Sequence, residues 1–392
     1  MELSDITNHG LKYINKLCSN HPKHDKSYGA ILKKFYNEMV ESEKIVNEYC
    51  SFTGNNRLVL ENVDMLPDDY LPKEIKKHVL ESCRLKLRYQ KVLKEDKTIT
   101  ITFFFSEDYL IGINKLEQYI KRIMLWFIFA MKYSYKKCNS NININLYLTN
   151  PKKILPNSPV EVLDEMNVNT GVTYRCRENS NIVVYRKEEW FKVLIHESMH
   201  YLGLDFNSDS NPMLYDIFPL KGQTTMDLGE VYSETWARIL NIYITSFKLT
   251  NSYLDFKKIS SDLLYIERIF SCFQCVKILK FMGMDYNNIT KKSDQVSISK
   301  RKLYKEKTNV FSYYILTAIL MNNPYNFVFW CYKNNTNIIK LEPLTKIESF
   351  VLYIKKLYLS KSFLENIALV EDLFEKDYLM DKTLRMTIIE MN

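Results

Sequence analysis

Two histidines four residues apart, His196 and His200, with Glu197 between them in the run Ile195-His196-Glu197-Ser198-Met199-His200, are the residues of this chain best suited to chemistry. On a helix, positions i and i+4 project from one face a turn apart, so both imidazoles reach a single divalent metal ion while the carboxylate of Glu197 stands beside them. Metal-assisted hydrolysis is the chemistry such a trio serves, with the imidazoles holding the ion and the carboxylate moving a proton. The surrounding residues, 188–206, read as a helix.

A catalytic zinc takes three protein ligands and keeps a fourth position open, so the two histidines need a third donor from elsewhere in the fold. One scheme places it ten residues after the first histidine, in the metzincin pattern H-E-x-x-H-x-x-G-x-x-H. Gly203 matches the glycine, and Met213 could serve as a Met-turn, but Phe206 occupies the ligand position, Asp205 is one residue out of register and no histidine follows His200. These departures argue against that scheme. The other takes a glutamate from a following helix. Gly229-Glu230-Val231-Tyr232-Ser233-Glu234-Thr235-Trp236-Ala237 offers Glu230 and Glu234 on one helical face. Two carboxylates stacked among Val231, Trp236, Ile239 and Leu240 cost stability unless a cation sits opposite, and Zn2+ would be such a cation. The plainer reading is a solvated acidic edge.

His196-Glu197-x-x-His200 followed by Glu230-x-x-Ser233-Glu234 resembles the gluzincin class of zinc metallopeptidases, in the form shared by thermolysin and the lethal-factor protease domain. The resemblance covers about residues 170–240 and is specific in its two motifs. It implies that His196, His200 and Glu230 bind Zn2+, that Glu197 is the general base, and that Glu234 is an acceptor orienting one of the histidines. The class often begins its second motif Asn-Glu; Gly229 stands here, so a register with Glu234 as the ligand stays open. The implied reaction is peptide hydrolysis by a zinc-activated water, with substrate extended along a sheet edge at residues 171–176. Tyr215, Tyr232, Tyr313 and Tyr314 are unranked candidates for stabilising the oxyanion.

The elements that must position these residues follow from periodicity. Residues 26–50 have helical spacing, ended by Gly54-Asn55-Asn56, and 84–105 read as a hairpin turning at Glu95-Asp96. A helix over about 108–137 precedes strands at 141–148, 171–176 and 181–186, the last leading into the motif helix. Beyond Asp227 the pattern is helical over 228–247, 252–282, 309–321 and after Glu342, with a polar, basic linker at 287–307. The expected class is α+β: a zincin-like mixed β-sheet with an active-site helix, preceded by a helical N-terminal segment and followed by a mainly helical C-terminal subdomain. The expected divisions are 1–83, 84–215 and 216–392, the last carrying the third zinc ligand.

At 392 residues and 46% hydrophobic content the chain can bury a large core. A net charge of +8 from 54 basic and 46 acidic side chains is small for a nucleic-acid binder, so no nucleic-acid partner is expected. No signal-peptide layout or membrane-length apolar run is evident, which leads to the expectation of a soluble, cytoplasmic protein without a membrane partner. The Asn-, Lys-, Ile- and Tyr-rich composition looks like AT-biased coding, as in large DNA viruses or some parasites, and a viral origin would make the location a host cytoplasm or virion. Eight scattered cysteines suggest reduced thiols, with Cys272 and Cys275 as core packing. His21, His24 and Asp25 read as a surface loop.

The leading expectation is a zinc endopeptidase acting on a peptide or protein substrate. A catalytically silent zincin-fold structural or interaction protein is the alternative, and a fortuitous motif in a helical scaffold is a third reading.

Overall fold

The computed structural model describes residues 2–15, 26–49, 59–62, 71–93, 97–105, 112–177, 180–206, 212–220, 222–341, 346–372 and 378–392. It combines one six-stranded mixed sheet with many helices, so the α+β class holds. By its internal contacts the chain groups into two compact units that are each discontinuous in sequence: Ala30–Lys152 with Asn169–Leu204, and Met1–Gly29 with Lys153–Val168 and Asp205–Asn392.

The first unit holds the sheet, in the order β1-β2-β3-β4-β6-β5. Its strands are β1 (Val59–Asn62), β2 (Leu85–Val92), β3 (Thr98–Phe105), β4 (Asn141–Thr149), β5 (Gly171–Val172) and β6 (Asn181–Arg186). β1, β2 and β3 pair antiparallel, β3 with β4 and β4 with β6 run parallel, and the short edge strand β5 is antiparallel to β6. The alternation read in β3 has its physical basis here, since Ile99, Ile101 and Phe103 are fully buried. The helix Ile113–Ala130 makes the parallel connection from β3 to β4, and its Leu116, Ile120, Ile123 and Phe127 are core residues. Its buried Arg122 lies 3.8 Å over the ring of Phe191, which keeps the guanidinium against an aromatic face.

The expected hairpin is present, although its turn, Glu95-Asp96, lies outside the described residues, as do Gly54-Asn55-Asn56, His21, His24 and Asp25. The expected strand at 171–176 is shorter, ending at Val172. The cysteine expectation needs correction: Cys138 and Cys176 form a disulfide across a sequence separation of 38, with Cα atoms 4.9 Å apart. Cys138 ends the turn before β4 and Cys176 follows the edge strand, so only the sheet topology brings them together. Cys272 and Cys275 are buried free thiols on a core helix, as their apolar context predicts.

The second unit is built around the helices Leu228–Leu249 and Tyr253–Phe281, joined by a short turn and packed together. From Val231 to Phe247 every residue of the first is buried, which marks a central helix. The second carries buried Glu267, Gln274 and Lys277, each of which hydrogen-bonds the C-terminal segment. Gln274 Nε2 donates to the carbonyls of Thr383 (3.2 Å) and Arg385 (2.5 Å), Lys277 Nζ to Thr383 (2.6 Å), and Glu267 Oε2 accepts from Thr387 Oγ1 (2.9 Å) and Ile388 N (3.2 Å). Burial pushes the Lys277 ammonium well below the usual lysine range. Asn241 and Tyr314 add bonds to the carbonyls of Ile389 and Leu384. Residues 383–389 are thus held as a buried irregular strap, which periodicity did not predict.

The polar linker expected at 287–307 is also more ordered than its composition suggests. Asp285 and Asn288 form a capping box for the helix Tyr286–Thr290, Asp294 caps the helix Gln295–Arg301, and Arg301 Nη1 donates to the carbonyls of Asn288 (2.7 Å) and Lys291 (2.8 Å). Among the described residues no helix is long and apolar enough to cross a membrane.

Replacing Cys138 and Cys176 together by serine is expected to destabilise the protein by about 2–4 kcal/mol, from the loop closed by the bond. Urea unfolding of the non-reduced proteins measures this, and an unchanged midpoint would contradict it.

Candidate metal centre

The motif helix is Trp190–Tyr201, and it packs on β5 and β6. β6 delivers the chain to it through Glu189, whose left-handed backbone (φ 57°) makes a sharp reversal that a non-glycine residue adopts only at a cost. The helix stops in a Schellman arrangement: Gly203 has φ 64°, its N–H donates to His200 O (3.0 Å), and Leu204 N donates to Met199 O (2.9 Å). Gly203 is therefore accounted for as a helix stop. Every residue of the helix except His200 is buried, including Glu197 and His196. Nε2 of His196 and Nε2 of His200 are 3.2 Å apart, with the rings at 77° to one another.

Glu230 lies in the first turn of Leu228–Leu249. Asp227 caps that turn, its Oδ1 accepting from Gly229 N (2.8 Å) and Glu230 N (3.2 Å). An acidic side chain here also faces the positive end of the helix dipole. Tyr313 donates its hydroxyl to Glu230 Oε2 at 3.0 Å. It comes from Phe311–Leu316, a single stretch of π-helix, and π-bulges recur where a side chain must be aimed out of regular register.

One turn further along, Glu234 Oε1 accepts from Arg238 Nε at 2.9 Å, and both side chains are 1% exposed. The same guanidinium donates to Ser271 Oγ and to the backbone carbonyl of Tyr313, each at 2.9 Å. Arg238 thereby ties Glu234 to the segment that supplies Tyr313, and the cation that the sequence required opposite Glu234 is a protein side chain.

His196, His200 and Glu230 form a group in which each offers one ligand atom and all these atoms lie within 4.8 Å of one another. The fit to zinc is testable on the donors themselves. Zn–N bonds of about 2.0–2.1 Å in tetrahedral geometry hold two ligand atoms roughly 3.3 Å apart, close to the imidazole separation of 3.2 Å. Two imidazole nitrogens and one carboxylate oxygen, with a further position left for solvent, are a donor set that suits a catalytic zinc. Glu230, and not Glu234, is the acid found in this group.

Of the four tyrosines, Tyr215 donates to Thr224 O, Tyr232 to Ile339 O and Tyr314 to Leu384 O, whereas the Tyr313 hydroxyl donates to the carboxylate of Glu230. Tyr313 is 83 residues from Glu230 in sequence, so no local pattern could rank it. Arg238, four residues after Glu234, was legible as an i,i+4 partner. Phe206, at the position where a metzincin carries its third ligand, is a core aromatic against Tyr232 and Phe350. No family model matches the chain, and neither a curated protein nor a solved structure does.

Two substitutions separate ligand support from structural support. Tyr313→Phe is expected to weaken zinc binding about 10–100-fold with little loss of stability, read by competition with a chelating dye. Glu234→Ala leaves Arg238 buried without its carboxylate and should cost about 3–5 kcal/mol in urea unfolding. A Glu234→Ala protein of unchanged stability would contradict this assignment.

Proposed function

We propose that this chain is a zinc-dependent metallopeptidase of gluzincin type with a zincin-like catalytic fold, hydrolysing internal peptide bonds of a peptide or protein substrate. The observation that carries the reading is the grouping of His196, His200 and Glu230 around one point, with Glu197 on the same helix. The strand β6 leading into the motif helix, and an antiparallel edge strand β5 beside it, support the fold assignment.

His196, His200 and Glu230 would hold the ion. Zinc held there supplies Lewis acidity, lowering the pKa of a water towards roughly 7 and polarising a carbonyl. The chain's own groups do the rest. The carboxylate of Glu197 takes a proton from the attacking water and later returns it to the leaving amine, so that one water is consumed, the C–N bond breaks, and a carboxylate and an amine result. Burial of Glu197 strengthens its electrostatic interactions by lowering the local dielectric. Tyr313 keeps the Glu230 carboxylate aimed. A substrate bound as an added strand along β5 would present its scissile bond by backbone hydrogen bonds.

The purified protein is expected to retain zinc, to digest a peptide library, and to lose the digestion by about 10²–10⁴-fold on Glu197→Gln with its zinc retained. Metal analysis beside the digest reads both quantities. Zinc with no cleavage by either protein would favour a silent, binding role, and equal cleavage by both would remove Glu197 as the base.

A further inference from the structure

The edge strand β5 runs so close to the motif helix that its first residue has no room for a side chain. A Cβ placed on Gly171 would stand 2.8 Å from the carbonyl oxygen of Val183, 2.8 Å from Cγ1 of Val193 and 2.9 Å from Cγ of Glu197. All three are inside van der Waals contact. Gly171 does not adopt the positive φ that favours glycine elsewhere in the chain, as Gly203 and Gly283 do. The demand for glycine is therefore one of space alone.

The neighbours differ in what they can yield. The carbonyl of Val183 belongs to β6, and β5 is pinned to it: Gly171 pairs with Val184 and Val172 with Val183, Tyr185 N donates to Thr170 O (2.9 Å), and Thr173 Oγ1 donates to Asn181 O (3.0 Å). Beyond the strand, Cys176 N donates to Tyr201 O (3.1 Å) and Cys176 is covalently tied to Cys138. The strand is fixed at both ends. Val193 and Glu197 are one turn apart on the same helical face, so the backbone of Gly171 closes the side of that face from which Glu197 rises.

We infer that Gly171 is a positioning residue for Glu197: its bare Cα forms the wall that confines the Glu197 side chain to the rotamer used in proton transfer. This inference rests on the peptidase reading for its catalytic meaning, while the contact itself does not. Because β5 is also the edge proposed to carry substrate, one residue sets how near the substrate backbone and the base can approach. Misplacing a catalytic group by about 1 Å is enough to cost roughly 10²-fold in rate.

The test is a double-mutant cycle on the full-length zinc protein, comprising wild type, Gly171→Ala, Glu197→Ala and the double variant. Gly171→Ala is expected to keep stoichiometric zinc and an unaltered cobalt-substituted spectrum, with KM little changed and kcat lowered about 10²-fold. Its melting temperature should fall by several degrees, and by clearly less in the Glu197→Ala background, which has no Cγ to meet the new methyl. Should Gly171→Ala not fold, the same cycle is run with Val193→Ala throughout, which removes the Cγ1 contact. An unaltered kcat in Gly171→Ala beside an active wild type would overturn the inference. So would an equal fall in melting temperature in both backgrounds. A wild type that binds zinc without cleaving peptides would end the peptidase reading, and the stability coupling would still decide whether Gly171 confines residue 197.

Discussion

Two imidazole nitrogens 3.2 Å apart on a helix buried everywhere except at His200 are the constraint to which the rest of the molecule answers. A cation between two neutral imidazoles satisfies both lone pairs at once. The helix can carry the pair because Leu194, Ile195, Ser198 and Met199 are fully buried and fix its rotation. The left-handed Glu189 sets where the helix begins, and the Schellman stop at Gly203 sets where it ends.

The third member of the group is supported by a different kind of structure. Glu230 sits in a capped first turn, takes a hydrogen bond from Tyr313, and is linked through that tyrosine's backbone to the Arg238–Glu234 pair. A buried guanidinium with a carboxylate, a hydroxyl and a carbonyl as partners is satisfied in three directions, which makes a buried charge tolerable and a displaced one costly. Near this network the C-terminal strap is held through its backbone by Gln274, Lys277, Glu267, Asn241 and Tyr314. Tyr314 follows Tyr313 directly, so neighbouring residues of the π-helical stretch fasten the strap and the acid.

Much of this was legible in the sequence where the signal was periodic. The i,i+4 spacing of His196 and His200 gave their shared face, and alternation in 99–103 gave a buried strand. Helical spacing located the long helices to within a few residues of Leu228–Leu249 and Tyr253–Phe281. What stayed hidden was decided by tertiary packing. The partner of Glu230 came from a distant tyrosine, and the Cys138–Cys176 bond from strands that become neighbours only in the folded sheet. Residues 383–389 have no period because the segment is irregular and buried throughout, and the polar composition of 287–307 concealed two capped helices. Gly171 read as an ordinary strand glycine because nothing in its neighbours announces that Glu197 lies 2.9 Å from where its Cβ would be.

The central claim is that His196, His200 and Glu230 converge on one zinc ion, and X-ray absorption at the zinc edge of the purified protein tests it most directly. The account predicts a first shell of four light-atom ligands at about 2.0–2.2 Å, with the outer-shell scattering of two imidazoles and no sulfur. Zinc bound through sulfur at about 2.3 Å, or without two imidazoles, would contradict it.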